Sequence, residues 1–131
     1  MRIVTTPFYS LPDAFDKYGC KTVISIENHG QDYETPKNVG RHLKVKFDDL
    51  DHKDIPRKNE LEQKHGCIFC TTAHLETITD FYSNLTEEDG DLLVHCTAGV
   101  SRSPAVSFML YCMELGEGKE EEALDAVLAN T

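Results

Sequence analysis

The sequence predicts an α/β domain with a mostly parallel central sheet flanked by helices. Three observations carry that expectation. Segments rich in β-branched residues alternate with segments of helical periodicity along the chain. Leu92 to His95 is a short, almost wholly apolar run, which suits a central parallel strand covered on both faces. With 131 residues the chain can build one core and is too short for two ordinary ones, so a single domain over 1–131 is expected.

Element by element, Ile3 to Thr6 is a short β-prone run. Ser10, Pro12 and Asp13 open a short helix that reaches Tyr18 and is closed by Gly19. Thr22 to Glu27 (TVISIE) is a strand by its β-branched content, and the polar, Gly- and Pro-containing stretch 28–40 is a loop. His42 to Phe47 alternates polar and apolar residues as a strand does. Asp48 to Lys58 breaks the pattern with four aspartates and a proline. From Thr72, the residues Leu75, Ile78, Phe81, Tyr82 and Leu85 recur three or four apart, the stripe of a helix buried on one side. After the Leu92 strand, Ser103-Pro104 supplies cap and first-turn chemistry for a helix whose Ala105, Phe108, Met109 and Cys112 share a face and which Gly116 ends. An acidic helix over about Lys119 to Ala129 completes the chain.

Composition narrows the function. Acidic residues outnumber basic ones 23 to 13, a formal charge of −10, which disfavours nucleic acid and anionic lipid surfaces as partners. No apolar run of about 18 residues is present and the N-terminus lacks a secretory apolar stretch, so a soluble, cytoplasmic protein is expected. The five cysteines are an odd set in a chain able to form a core, unlike a secreted disulfide scaffold.

The chemistry concentrates in Val94-His95-Cys96-Thr97-Ala98-Gly99-Val100-Ser101-Arg102-Ser103. In open α/β sheets ligands sit at the carboxyl ends of strands, and this stretch leaves such an end to enter a helix. A strand, a tight turn and a helix N-terminus aim several backbone N–H groups at one point, where the helix dipole also favours an anion. Ala98 and Gly99 leave room for an oxyanion to approach the backbone, and Arg102 offers a planar fork to two phosphate oxygens. Cys96 lies at the base of this cradle, whose positive field favours the thiolate.

Cys96, five residues, then Arg102, with His95 before and Ser103 after, resembles the signature of the cysteine-dependent protein tyrosine phosphatases. It is closest to their dual-specificity branch and its small bacterial and phage relatives. The likeness is specific at the loop and looser over Val23 to Asp49. It implies a strand, phosphate loop and helix at the active site. It also implies attack by Cys96 on phosphorus, with the charge held by Arg102 and the backbone of Thr97, Ala98, Gly99, Val100 and Ser101. Ser103 is implied to donate a hydrogen bond to the sulfur in the second step, and taken alone is a plain helix cap. His95 is implied to support the loop. The family takes its proton donor from an aspartate on a loop upstream of the cysteine. Asp48, Asp49, Asp51 and Asp54 are the candidates. The family pattern of an acid two residues after the strand's final Phe selects Asp49, with Asp48 second and the other two read as solvated. No metal and no cofactor is implied. Relatives usually continue past the last helix with a proline-containing tail, whereas this sequence stops at Thr131.

The uncharged loop positions Thr97, Ala98, Val100 and Ser101 suit a phosphate monoester on a protein, phosphotyrosine first and phosphoserine or phosphothreonine next. Relatives acting on inositol lipids tend to carry lysines there. The expected partner is a phosphorylated protein or peptide, met by a monomer. Two other classes stay open: a sulfurtransferase or arsenate-reductase-like thiol enzyme, and a non-catalytic phosphoprotein-binding module. His65, Cys67, Cys70 and His74 contain one Cys-x-x-Cys at metal-knuckle spacing, but without a second pair they read as reduced or packed thiols.

Overall fold

The computed structural model describes residues 2–7, 11–32, 39–97 and 101–131. Strands β1 (Ile3–Pro7), β2 (Thr22–Glu27), β3 (Arg41–Lys46) and β4 (Leu92–Cys96) form a parallel sheet in the order β1-β4-β2-β3. The helices are α1 (Leu11–Tyr18), α2 (Lys58–His65), α3 (Thr72–Ser83), α4 (Arg102–Leu115) and α5 (Glu120–Ala129), with single 3-10 turns at Ile55–Arg57 and Glu87–Asp89. The last strand in sequence therefore lies between the first two. Its neighbours bring the carboxyl ends of β1 and β2 alongside Cys96.

The period-two alternation of strand side chains divides the apolar residues between two faces. Ile3, Ile24, Ile26, Leu92 and Val94 face one way and pack with Ile78 of α3, Val106 and Leu110 of α4, and Ala123 and Val127 of α5. Val4, Val23 and Leu93 face the other way and meet Ala14 of α1 and Cys20. Each fully buried Ile or Leu here contributes about 1.5–3 kcal/mol over its exposed state. β4 is buried along its whole length, as a strand covered on both faces should be.

One helix goes beyond the sequence expectations, and two expectations about α4 need correction. Lys58–His65 is a helix that hydrophobic periodicity does not announce, because KNELEQKH is polar all round and buries no residue. Its end is marked instead by Gly66, whose φ of 68° is a left-handed helix stop. The most deeply buried residues of α4 are Val106, Ser107, Leu110 and Tyr111, together with Arg102 and Ser103; Phe108, Met109 and Cys112 are half-buried against the core, and Ala105 alone of the four expected residues is exposed. The apolar stripe gave only part of the buried surface because Arg102, Ser103, Ser107 and Tyr111, which are turned furthest inward, carry polar groups. Ser107 meets Thr5 at 2.8 Å, and the Tyr111 hydroxyl accepts from Ile3 N and donates to Ile3 O at 2.9 and 3.0 Å. The α4 N-cap position belongs to Ser101, with no side-chain cap bond, so Ser103 sits in the first turn and is not the cap. In α3 the stripe buries Ile78 fully, leaves Leu75 at 37% exposure, and extends past the helix end at Leu85.

The end of α5 is fastened to β1: Thr5 N–H donates to Asn130 O at 2.9 Å, and Asn130 Nδ2 donates to Ala126 O at 2.8 Å. Among the described residues no helix is long and apolar enough to cross a membrane.

Candidate active site

The site forms where β4 ends and α4 begins. Cys96 is the last residue of β4 and only 2% exposed, and its Sγ lies 3.2 Å from the Ser103 hydroxyl one turn into α4. Ala98, Gly99 and Val100 of the expected phosphate loop lie outside the described residues. Thr97 and Ser101 flank them in the sequence, and Ser101 O accepts the first helical bond from Ala105 at 3.1 Å.

Arg102 is buried, at 8% exposure, and is held along one edge. Its Nη1 donates to Asn28 Oδ1 at 2.5 Å and to Phe47 O at 2.8 Å. Nη2 makes a long 3.4 Å contact with Thr97 Oγ1, and Nε is buried with no hydrogen-bond partner among the described residues. A guanidinium presents Nε and one Nη as a fork that matches two oxygens of a phosphate or carboxylate. One edge of Arg102 is therefore consumed by the scaffold while the Nε and Nη2 edge is left for an anion. An unmet buried donor costs about 1–3 kcal/mol, which a bound oxyanion would remove.

His95 is fully buried in β4, and its Nε2 lies 2.5 Å from Ser25 Oγ on β2, directly across the parallel register. Ser25 Oγ in turn meets His42 Nε2 on β3 at 2.7 Å, so a polar chain crosses three strands under the loop. Burial pushes the His95 imidazole down to about 4, which keeps it neutral at pH 7. A hydrogen bond to the Cys96 backbone works against that fall.

The upstream aspartates separate by their surroundings. Asp48 is committed to the scaffold: its carboxylate accepts from Ile68 N at 2.6 Å, from His29 N at 3.2 Å and from His29 Nδ1 at 2.9 Å. Burial acts to raise its pKa, but these hydrogen bonds prevail and hold it below the usual carboxylate value. Asp49 is exposed and lines, with Arg102, a cleft of about 430 Å³ whose walls include Leu50, Ile55, Phe69 and Met109. Asp51 and Asp54 close the exposed turn between them, Asp51 N donating to Asp54 Oδ2 at 2.9 Å.

Sequence reasoning missed Asn28, Ser25 and His42. Asn28 directly follows TVISIE, so the rule that ligand sites gather at the carboxyl ends of strands already pointed to its position. Nothing in the local sequence marks Ser25 or His42, since their partner is 70 residues from Ser25 on another strand. Cys67 and Cys70 are free thiols, and among the described residues they form no ligand cluster with His65 and His74: Cys70 is exposed and His74 Nδ1 is engaged with Thr71 in the cap of α3.

A parallel sheet with a buried cysteine at the end of one strand and an arginine opening the next helix fits the protein tyrosine phosphatase class of fold. The chain belongs to the family described as dual specificity phosphatase, catalytic domain, whose model matches residues 9–130. It is 39% identical over 78 residues to dual specificity protein phosphatase 5 of Rattus norvegicus and 38% identical to that of Homo sapiens. Those matches span 60% of this chain but only 18% of the relatives' length. Two solved structures share the fold at 18% sequence identity. A glycine-to-alanine mutant form of Tk-PTP has a TM-score of 0.55, covering 98% of this chain and 77% of that one. The corresponding figures for PTPMT1 are 0.54, 95% and 75%.

Proposed function

We propose that the protein hydrolyses phosphate monoesters on proteins, phosphotyrosine foremost with phosphoserine and phosphothreonine as further substrates, through a phosphocysteine intermediate. The single observation that carries this reading is the half-used guanidinium of Arg102. Buried and held by Asn28 and Phe47, it keeps Nε and Nη2 for an anion beside the Cys96 and Ser103 pair.

In the first step the Cys96 thiolate attacks phosphorus, the bond to the leaving oxygen breaks, and Asp49 protonates that oxygen. In the second, water attacks the phosphocysteine, Asp49 takes its proton, and the sulfur departs as thiolate with Ser103 donating to it. Arg102 and the backbone N–H groups from Thr97 to Arg102 stabilise the charge on the equatorial oxygens in both steps. His95 supports the loop from beneath. Asp49 is preferred to Asp48 as the acid because Asp48 already accepts three hydrogen bonds, while Asp49 is exposed on the cleft that Arg102 lines. No step is assigned to a metal or a cofactor.

The substrate is proposed to be a phosphorylated protein or peptide, bound by a cytoplasmic monomer. The acidic charge of −10 supports this over a polyanionic surface, and so do the uncharged positions of the loop sequence. Phosphate release measured with a chelator present, on a small aryl phosphate, phosphopeptides and phosphoinositides, tests the reading. Turnover of the aryl phosphate and phosphopeptides that is lost in Cys96→Ser is expected. Equal turnover of phosphoinositides would overturn the substrate class, and no release from any substrate would overturn the activity.

A further inference from the structure

The thiol that the sequence pairs with Cys70 has other neighbours in the fold. A ring nitrogen of His29, a carboxylate oxygen of Asp48 and the sulfur of Cys67 all lie within 4.8 Å of one another. They come from three separate segments: the end of β2, the residue after Phe47, and the turn that closes α2. Gly66 is what brings the third segment in. Its left-handed φ of 68° turns the chain after α2, Cys67 N then donates to Leu61 O at 3.1 Å, and a Cβ at Gly66 would already sit 3.6 Å from the His29 ring.

We propose that His29, Asp48 and Cys67 form a binding site for a divalent cation of the zinc class. Imidazole, carboxylate and thiolate are the ligand types such an ion takes, and a tetrahedral ion at its usual bond lengths spaces its ligands about 3.3–3.8 Å apart. The His29 and Asp48 ligand atoms, 2.9 Å apart, therefore need to open by about 0.5 Å and the Cys67 sulfur to close by at most about 1.5 Å, and water fills the fourth position. Binding releases the thiol proton to solvent and replaces the contact between His29 Nδ1 and Asp48 by two bonds to the ion. The backbone N–H groups of His29 and Ile68 already orient the Asp48 carboxylate, as the outer partners of a metal ligand do. The ion would fasten the residue beside Asn28, which holds Arg102, to the residue beside Asp49. Its place is thus behind the phosphate site, and the proposal stands whether or not Asp49 is the proton donor.

The test is a titration of the full chain with Co²⁺, carried out in Cys96→Ser so that the active-site thiol supplies no signal. One equivalent bound with a thiolate-to-cobalt charge-transfer band is expected, displaced by Zn²⁺. The band should survive Cys70→Ser, vanish in Cys67→Ser and weaken at least tenfold in apparent affinity in His29→Ala. Absence of the band in Cys96→Ser, its survival in Cys67→Ser, its loss in Cys70→Ser, or an unchanged affinity in His29→Ala would each overturn the site. His29 is exposed, so its variant is expected to fold and to keep the test decisive should Cys67→Ser prove unstable.

Discussion

Asn28 holds Arg102: the side-chain carbonyl of the first residue after β2 accepts from Arg102 Nη1 at 2.5 Å, across 74 residues of sequence. With the Phe47 carbonyl, the bond occupies Nη1 and leaves the Nε edge of the guanidinium outside these contacts. Asn28→Ala should lower kcat/KM for an aryl phosphate by about tenfold, the loss of a charge-assisted hydrogen bond worth about 1.5 kcal/mol. Competitive inhibition by inorganic phosphate should weaken in parallel, which a general loss of stability would not produce.

Ser103 stands 3.2 Å from the Cys96 sulfur, and in the proposed mechanism it aids the departure of that sulfur from phosphorus. Ser103→Ala should slow the second step more than the first, with kcat falling about tenfold or more, on the scale of one lost stabilising donor. Stopped-flow release of the aryl alcohol should then show a burst equal to the enzyme concentration, followed by a slow steady state. A variant that slows without a burst would place Ser103 outside the second step.

Asp48 and Asp49 should behave differently despite being neighbours. Asp49→Ala is expected to lower turnover by about 10²–10⁴ for a substrate with a poor leaving group and far less for a good one, the mark of a lost general acid. Asp48→Asn leaves its three donors a poorer acceptor, so it should lower the urea midpoint while the dependence on leaving group is kept. Reversed behaviour of the two variants would exchange their roles.

His95 makes stability depend on pH. Burial holds its folded pKa at about 4, below the ordinary value of 6.5, so the unfolded chain binds the extra proton between those values. The stabilisation is complete above pH 6.5 and is lost as pH falls toward 4, a change on the order of 3 kcal/mol. The half-buried His42 is lowered as well, chiefly by desolvation, and adds in the same direction. Urea unfolding of the wild type and His95→Gln at pH 7 and pH 4.5 checks this. The wild type should lose distinctly more stability on acidification than the variant, and equal losses would contradict it.

Much of the architecture could be read in the chain because its strands and main helices carry strong periodicity. TVISIE and the Leu92 run give β2 and β4 directly, and the acidic segment gives α5. What escaped notice has a physical cause in each case. The α2 helix is uniformly polar, so no stripe marks it. The inward face of α4 starts with Arg102 and Ser103 and continues through Ser107 and Tyr111, polar groups buried because they find partners or serve the site. Cys96 and Arg102 were legible from their place between a strand and a helix, and Ser103 only through the family resemblance that VHCTAGVSRS carries. Asn28, Ser25 and His42 were not, since tertiary contact alone joins them to it.

The most direct test of the central claim is to look for the covalent intermediate. Ser103→Ala enzyme mixed with an aryl phosphate, quenched in acid during the steady state and digested should yield one peptide heavier by a phosphoryl group, with the modification on Cys96. The adduct should be absent from Cys96→Ser. Burst turnover with no phosphate on Cys96, or phosphate found on another residue, would contradict the phosphocysteine mechanism.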